Sequence, residues 1–147
     1  MSEPTYQPPD IALLGAEHVQ RYQETDGEVG YLWNGVPILL LTTTGRRSGA
    51  HWTTPLIHGR DGDDYLVVAS MGGAPQHPNW YRNLVADPSA LIQVRSEHLK
   101  VTARTAGEAE KPRLWKIVSD LWPNYDVYQS RTDRVIPVVV LTPQHGA

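Results

Sequence analysis

The sequence predicts an α+β domain, in which an antiparallel sheet or small barrel of about six strands is flanked by three or four helices. The chain has 147 residues, the size of one ordinary domain. Short β-rich runs are separated by turns containing glycine, proline and asparagine. These runs largely precede and flank the helical segments instead of alternating with them. That order disfavours a doubly wound parallel sheet.

The first predicted element is an amphipathic helix after a loose, proline-rich tail at residues 1–9, so we expect residues 10–147 to form one domain. Asp10 is a suitable N-cap, and Asp26-Gly27 ends the helix. The polar face is not rich in Lys or Arg, which favours core packing over a membrane-surface role. The apolar positions at helical spacing are Ile11, Leu14, Val19 and Tyr22.

Six strands are predicted after this helix, at residues 37–44, 51–58, 65–70, 90–95, 98–104 and 135–141. Asn34-Gly35 is a turn signal before the first strand, and Pro55 marks the second as an edge strand or a bulge. An acidic turn is expected at residues 60–64. The later helical segments are 79–86 and 108–121, with Pro112 in or near the first turn of the second, and a short polar-aromatic segment at 124–131 leads to the last strand.

The composition excludes several classes of protein. The chain has no Cys and no Phe, and its aromatic residues are five Trp and seven Tyr. Without Cys there is no disulfide scaffold, thiol nucleophile or cysteine-bound metal cluster. A net charge of −3 disfavours nucleic-acid binding. No apolar run approaches the length of a membrane span, and the polar start does not resemble a signal peptide, so we expect a cytoplasmic protein.

Acidic residues are absent from two stretches, each of which contains a glycine-bearing loop. Residues 29–60 include three arginines and no Asp or Glu. Residues 65–86 also have no Asp or Glu, and they include one arginine, Arg82. The first loop, Gly-Arg-Arg-Ser-Gly at 45–49, combines two guanidiniums, a hydroxyl and flexible backbone, a set of donors suited to a phosphate. A simple hairpin turn with solvated arginines is the alternative. The second loop, at 70–73, lets a ligand approach the backbone.

Other catalytic signatures are missing. The Gly-Arg-Arg-Ser-Gly loop is neither a Walker loop nor a Rossmann fingerprint. The six histidines form no metal-ligand pattern, and no Gly-x-Ser-x-Gly nucleophile motif is present. We therefore predict no metal site.

Aromatic residues cluster near the C-terminal end. Trp122, Tyr125 and Tyr128 recur every third residue, so the two tyrosines share one helical face. Such a row suits a flat pocket with hydroxyls at its rim, and packing of the rings on the sheet is the alternative.

Together these segments resemble the deazaflavin-dependent nitroreductase family, whose members use coenzyme F420. The resemblance runs from about residue 18 to residue 141, and the order and spacing of its pieces are specific. The matching pieces are residues 40–49, Thr54-Pro55-Leu56, Val68-Ala69-Ser70, Gly72-Gly73-Ala74, Pro78-Asn79-Trp80-Tyr81, Asn83-Leu84, Tyr125, Tyr128 and Thr132-Asp133-Arg134.

The resemblance implies a split β-barrel that binds the deazaflavin coenzyme. It implies that Arg46, Arg47 and Ser48 hold the phosphate, that strand 52–57 lines the ring, and that Tyr125 reaches over it. The full set of implied coenzyme-binding residues is Arg46, Arg47, Ser48, Gly49, Trp52, Thr53, Thr54, Pro55, Leu56, Ile57, Val68, Ala69, Ser70, Met71, Asn79, Trp80, Tyr81, Arg82, Asn83 and Tyr125.

The implied reaction is hydride transfer from the reduced coenzyme to a quinone, a nitroaromatic or nitroimidazole compound, or another conjugated acceptor. Tyr125, Tyr128 and Ser70 are the candidate catalytic residues, which would orient the acceptor or relay a proton. An FMN-dependent oxidoreductase and a non-catalytic coenzyme-binding protein are the alternatives. We expect a monomer or weak dimer, with peripheral membrane contact left open.

Four positions depart from the family pattern. Many relatives carry Arg at the position of Trp52 and Lys at that of Met71, where cations would face the anionic phosphate–glutamate tail of the coenzyme. Arg47, His51 or His77 are candidates to compensate. In the branch that activates nitro prodrugs, Tyr is often found where this chain has Trp122 and also occurs where it has Ile57.

Overall fold

The computed structural model describes residues 15–144, and these form a curled antiparallel sheet with four helices. The helices are α1 (Ala16–Thr25), α2 (Asn79–Ala86), α3 (Lys111–Leu121) and α4 (Asn124–Ser130). The strands are β1 (Leu32–Trp33), β2 (Val36–Thr44), β3 (His51–Ile57), β4 (Gly59–Asp61), β5 (Asp64–Val68), β6 (Ser89–Val94), β7 (Glu97–Thr105) and β8 (Val138–Pro143). The predicted α+β class is confirmed, whereas the predicted tail and the Asp10 cap lie outside the described residues.

All strand pairs are antiparallel, in the order β1-β2-β6-β7-β8-β5-β4, and β3 pairs with β2. The described sheet has eight strands, two more than predicted. The additional strands, β1 and β4, were not predicted because they are only two and three residues long. Part of the predicted acidic turn is β4, since Arg60 and Asp61 pair with Tyr65 and Asp64. Strand β3 has only β2 as a partner in the described sheet, which confirms the edge position predicted from Pro55.

The last strand starts three residues later than predicted. Pro137 has no N–H to donate, and the N–H of Ile136 donates to the side-chain oxygen of Gln129 at 2.9 Å. The chain before β8 is therefore attached to α4 by a side chain. This attachment keeps the segment after α4 close to the helix.

Strand β2 is buried on both faces, which explains its continuous run of apolar residues. Ile38 and Leu40 pack in the cluster that contains Leu114 of α3, and Leu39 and Leu41 pack in the cluster that contains Leu84 of α2. This strand leads directly into the loop at 45–49. The core thus gives the loop a rigid support.

Candidate active site

Two adjoining cavities share Asn79, the first residue of α2. The first, the anion cavity, has a volume of about 340 Å³ and is lined by Gly45, Arg46, Arg47, Ser48, Trp52, Asn79 and Asn83. The second, the aromatic cavity, has a volume of about 380 Å³ and is lined by Trp33, Pro55, Leu56, Ile57, Val68, Ser70, Met71, Gly72, Pro78, Asn79, Trp80, Trp122, Tyr125 and Tyr128. Acidic side chains are absent from both linings, and the aromatic cavity has no charged lining residue.

The loop at 45–49 is a turn closed by its own hydrogen bonds. The N–H of Gly45 donates to the carbonyl of Ala50 at 2.6 Å, and the N–H of Gly49 donates to the carbonyl of Gly45 at 2.9 Å. Gly49 has a φ of 74°, a conformation that favours glycine. The Ser48 hydroxyl accepts a hydrogen bond from the N–H of Ala50 at 3.2 Å, which leaves its own hydrogen available to donate.

Arg46 is oriented by Asn83. Oδ1 of Asn83 accepts a hydrogen bond from Nη1 of Arg46 at 2.9 Å and one from its backbone N–H at 3.3 Å. The Asn83 amide is itself held, because its Nδ2 donates to the hydroxyl of Thr43 at 3.2 Å. Asn83 is 4% exposed, whereas Arg46 is exposed. The amide thus aims one guanidinium, and an anion in the cavity would meet N–H groups held in a fixed direction.

Trp52 forms the rim of the anion cavity. A Cβ atom placed on Gly45 would lie 3.1 Å from Nε1 of Trp52, so the indole nitrogen is close to the loop backbone. The side chain is 62% exposed. At this edge the cavity therefore offers an apolar ring with one N–H donor instead of a cation.

Four aromatic side chains, all nearly buried, form the inner part of the aromatic cavity. The ring centroids of Trp33 and Trp122 are 5.2 Å apart, and those of Tyr125 and Tyr128 are 6.1 Å apart in an edge-to-face arrangement. Nε1 of Trp122 donates to the hydroxyl oxygen of Tyr128 at 3.4 Å. Because that oxygen already accepts a hydrogen bond, the Tyr128 proton can be donated to a ligand.

Burial raises the pKa of the Tyr125 phenol. The neighbouring Tyr128 raises this pKa further. Tyr125 is 5% exposed. The group therefore stays protonated at ordinary pH, as a hydrogen-bond donor rather than a base.

Fourteen of the predicted coenzyme-binding residues line one cavity or the other. Those outside both linings are Gly49, Thr53, Thr54, Ala69, Tyr81 and Arg82. The Thr53 hydroxyl pairs with that of Thr42 at 2.8 Å, and the Tyr81 hydroxyl pairs with that of Thr105 at 2.9 Å. The three candidate catalytic residues, Ser70, Tyr125 and Tyr128, lie together in the aromatic cavity.

Neither of the two histidines proposed to compensate is a cation of the anion cavity. His51 lines a separate hollow with Thr42 and Thr44. The ring of His77 contacts Arg134, and burial, with the positive charges of Arg134 and Arg82, lowers its pKa. Of the three candidates, only Arg47 lines the anion cavity.

Sequence reasoning missed two residues. Trp33 lines the aromatic cavity, but the turn signal beside it, Asn34-Gly35, says nothing about a ligand, and a two-residue strand gives no periodic signal. Arg134 donates to the loop that carries Ser70. Its presence in the Thr132-Asp133-Arg134 match was the only signal.

Residues 15–144 contain no group of three or more His, Cys, Asp or Glu residues able to hold a metal ion. None of the helices described there is long and apolar enough to cross a membrane.

A family model described as F420H(2)-dependent quinone reductase matches residues 14–143. An F420H(2)-dependent quinone reductase of Mycobacterium tuberculosis (strain ATCC 25618 / H37Rv) is 46% identical over 129 residues, covering 85% of this chain and 87% of the relative. A solved structure of an F420-H2 dependent reductase, FDR-A, is 40% identical, with a TM-score of 0.67 over 71% of this chain and 93% of the other.

A second solved structure, described as a domain-swapped dimer, is 37% identical, with a TM-score of 0.69 over 85% of this chain and 94% of the other. The match to FDR-A confirms the predicted split β-barrel, and the motif resemblance to coenzyme F420 proteins is confirmed as well. The chain belongs to the F420H(2)-dependent quinone reductase family.

Proposed function

We propose that this protein binds reduced coenzyme F420 across the two cavities and reduces a quinone. The observation that carries the proposal is that Asn79 lines both cavities, so that the anion cavity and the aromatic cavity adjoin. A coenzyme with a phosphate and a flat ring needs such a pair of sites. The names of the relatives support the choice of coenzyme and acceptor.

The residues present fit this coenzyme. Arg46, Arg47 and Ser48 would hold the phosphate, because they offer guanidinium and hydroxyl donors in a cavity without acidic lining residues. Pro55, Leu56 and Trp80 would pack against the ring. When bound, reduced F420 supplies a hydride to an electron-poor acceptor.

Tyr125, Tyr128 and Ser70 would act on the acceptor. Negative charge develops on a quinone oxygen during reduction, and a neutral phenol can donate a hydrogen bond to that oxygen. Trp122 holds the Tyr128 hydroxyl oxygen from one side, which leaves the phenol hydrogen for the acceptor. The same cavity would admit other flat acceptors, including nitroaromatic and nitroimidazole compounds.

Steady-state reduction of a soluble quinone by reduced F420 tests the proposal, with fluorescence titration of the coenzyme as the binding assay. Arg46→Ala should weaken coenzyme binding by about tenfold or more, as expected for a lost charge-assisted contact. Arg113→Ala is the matched control, because Arg113 pairs with Asp61 on the exposed surface. Quinone reduction no faster than without protein would contradict the proposal.

The two alternatives give different results in the same assays. Tight binding of FMN without binding of F420 would favour an FMN enzyme. Binding of reduced F420 without acceleration of its oxidation by any quinone or nitro compound would favour a coenzyme-binding protein that is not an enzyme.

We also propose that the protein is cytoplasmic, a monomer or weak dimer, and able to contact membranes peripherally. Trp52 and Met71, which are 62% and 59% exposed, place apolar side chains at the two cavities. Such side chains would suit the delivery of an apolar quinone from a bilayer. Co-sedimentation with lipid vesicles tests the membrane contact, and light scattering in solution tests the oligomeric state.

A further inference from the structure

The loop between β5 and α2 carries part of the wall of the aromatic cavity in a disfavoured conformation. Ser70, Met71 and Gly72 line that cavity. Met71, Gly72 and Gly73 all have positive φ values, of 46°, 64° and 86°. A residue with a Cβ atom rarely adopts this region, and contacts from outside the loop help to hold the segment around Met71 in it.

Arg134 supplies these outside contacts. Its Nε donates to the carbonyl of Ala74 at 2.8 Å, its Nη1 to that of Ala69 at 3.1 Å, and its Nη2 to that of Ser70 at 2.7 Å. Nη1 also contacts Nδ1 of His77 at 3.1 Å. A guanidinium can only donate, so Nδ1 must accept, and the His77 ring is neutral in this arrangement.

No other side-chain type could make this set of bonds. The planar guanidinium has five N–H groups in a fixed geometry, whereas a Lys ammonium has three donors on a single atom. Ala69 precedes the three positive-φ residues in the chain, and Ala74 follows them. Arg134 thus joins both ends of the distorted segment.

Arg134 is in turn fixed to α4, the helix that carries Tyr125 and Tyr128. Nε2 of Gln129 donates to the carbonyl of Arg134 at 2.8 Å. The loop also contacts α4 directly, because a Cβ on Gly73 would lie 2.6 Å from the carbonyl oxygen of Tyr128. The two walls of the aromatic cavity are therefore held together through one side chain and one close backbone contact.

We propose that Arg134 is a positioning residue, which sets the distance between the Ser70 loop and the α4 tyrosines so that the aromatic cavity fits a flat acceptor. It forms none of the lining of either cavity. Its main effect is on acceptor binding and turnover, and its effect on coenzyme binding is smaller, since the anion cavity belongs to other elements.

Arg134→Lys tests this proposal, with Arg113→Lys as the matched control in an exposed ion pair. The first readout is hydrogen–deuterium exchange of the Gly73 and Ala74 amides, which donate to Ser70 and Met71 within the loop. Their exchange should quicken in Arg134→Lys and stay unchanged in Arg113→Lys. This readout needs no coenzyme, so it is independent of the proposed function.

The kinetic readout rests on the proposed function. Arg134→Lys should raise the KM for quinone about tenfold, the effect of losing about one charge-assisted hydrogen bond, while the Kd for F420 rises by a smaller factor, because the phosphate donors Arg46, Arg47 and Ser48 are unaffected. Arg134→Ala should regain part of its quinone reduction when guanidinium ion is added at low concentration, and Arg113→Ala should not respond. If the wild type reduces no quinone, the proposed function fails and the exchange readout alone decides on Arg134.

Three results would overturn the proposal. The first is unchanged amide exchange at Gly73 and Ala74 in Arg134→Lys. The second is an unchanged KM for quinone in an active Arg134→Lys variant, whatever its thermal stability. The third is a loss of activity in Arg134→Ala that guanidinium does not restore, with coenzyme binding lost in parallel.

Discussion

Oδ1 of Asn83 accepts hydrogen bonds from both the guanidinium and the backbone N–H of Arg46, at 2.9 and 3.3 Å. Asn83→Asp would keep the acceptor but place a negative charge beside the phosphate site. We expect this change to weaken F420 binding about tenfold, and Asn83→Ala to weaken it less. Fluorescence titration measures both. Gln20→Ala on the exposed face of α1 is the control, and equal affinities for all variants would contradict the assignment.

Adding cations at the cavity rims should strengthen coenzyme binding. Trp52→Arg and Met71→Lys would each introduce a positive charge facing the anionic tail. Because both sites are exposed, each gain should be no more than about 1 kcal/mol, or about fivefold in Kd, and should fall as salt is added. Val85→Lys is the control, since Val85 is 66% exposed and lines neither cavity. A gain of the same size in the control would show a general charge effect.

Removing the phenol hydroxyls should slow quinone reduction. Tyr128→Phe and Tyr125→Phe should each lower kcat about tenfold or more, because each removes a donor to the developing negative charge. F420 binding should change little in Tyr128→Phe. Stopped-flow single-turnover kinetics separates the chemical step from product release. Unchanged turnover in either variant would remove that tyrosine from the chemistry.

The pH profile of the same reaction provides a second measurement on Tyr125. Its pKa is raised by burial and by Tyr128, so the phenol keeps its proton throughout the range in which the enzyme is assayed. We expect no loss of rate from Tyr125 ionisation between about pH 6 and pH 9. A basic limb in that range that disappears in Tyr125→Phe would contradict this expectation.

Stability should decrease in mild acid because of His58. Burial, with a contribution from Arg60, lowers the pKa of this side chain from 6.5 to about 4. The folded state therefore favours the neutral form of His58. The contribution of this neutral side chain to the free energy of unfolding is complete above pH 6.5 and is lost as the pH falls towards 4. The loss amounts to about 3 kcal/mol, since one unit of pKa is worth about 1.4 kcal/mol.

Urea unfolding at several pH values measures this effect as the difference between wild type and His58→Phe. The difference isolates His58 from His77, whose pKa is also lowered, and from Glu110, whose pKa of about 2 acts at lower pH. The variant should lose less stability between pH 6.5 and pH 4.5. If the free energy of unfolding falls equally with pH in the two proteins, the pKa of His58 is not lowered by folding.

Local sequence signals predicted the long elements well. Residues 79–86 form α2 at the predicted bounds, and Asn34-Gly35 makes the turn before β2. These segments are defined by neighbours in sequence, through caps, turns and alternation. Strands β1 and β4 escaped prediction because two or three residues carry no period, and only their partners in the sheet define them.

The candidate site was predictable only where a motif coincides with a cavity. Arg46 and Ser48 satisfy this condition, because a glycine-flanked loop also folds as a local turn. Tyr81 belongs to a matching piece, yet its side chain pairs with Thr105 in the tertiary structure. Trp33 and Arg134 reach the site through contacts with residues far away in the chain, and the match at Thr132-Asp133-Arg134 did not show what Arg134 contacts.

Helix α2 contributes to both cavities from a single short stretch. Asn79 lies at their junction, Trp80 faces the aromatic cavity, and Asn83 aims Arg46. The acceptor tyrosines, in contrast, belong to α4. If the proposed function holds, most of the coenzyme contacts come from α2 and the loop before β3, and changes at Tyr128 in α4 would alter the acceptor while the electron donor stays the same. A designer seeking a new reductase would vary α4 and leave α2 unchanged.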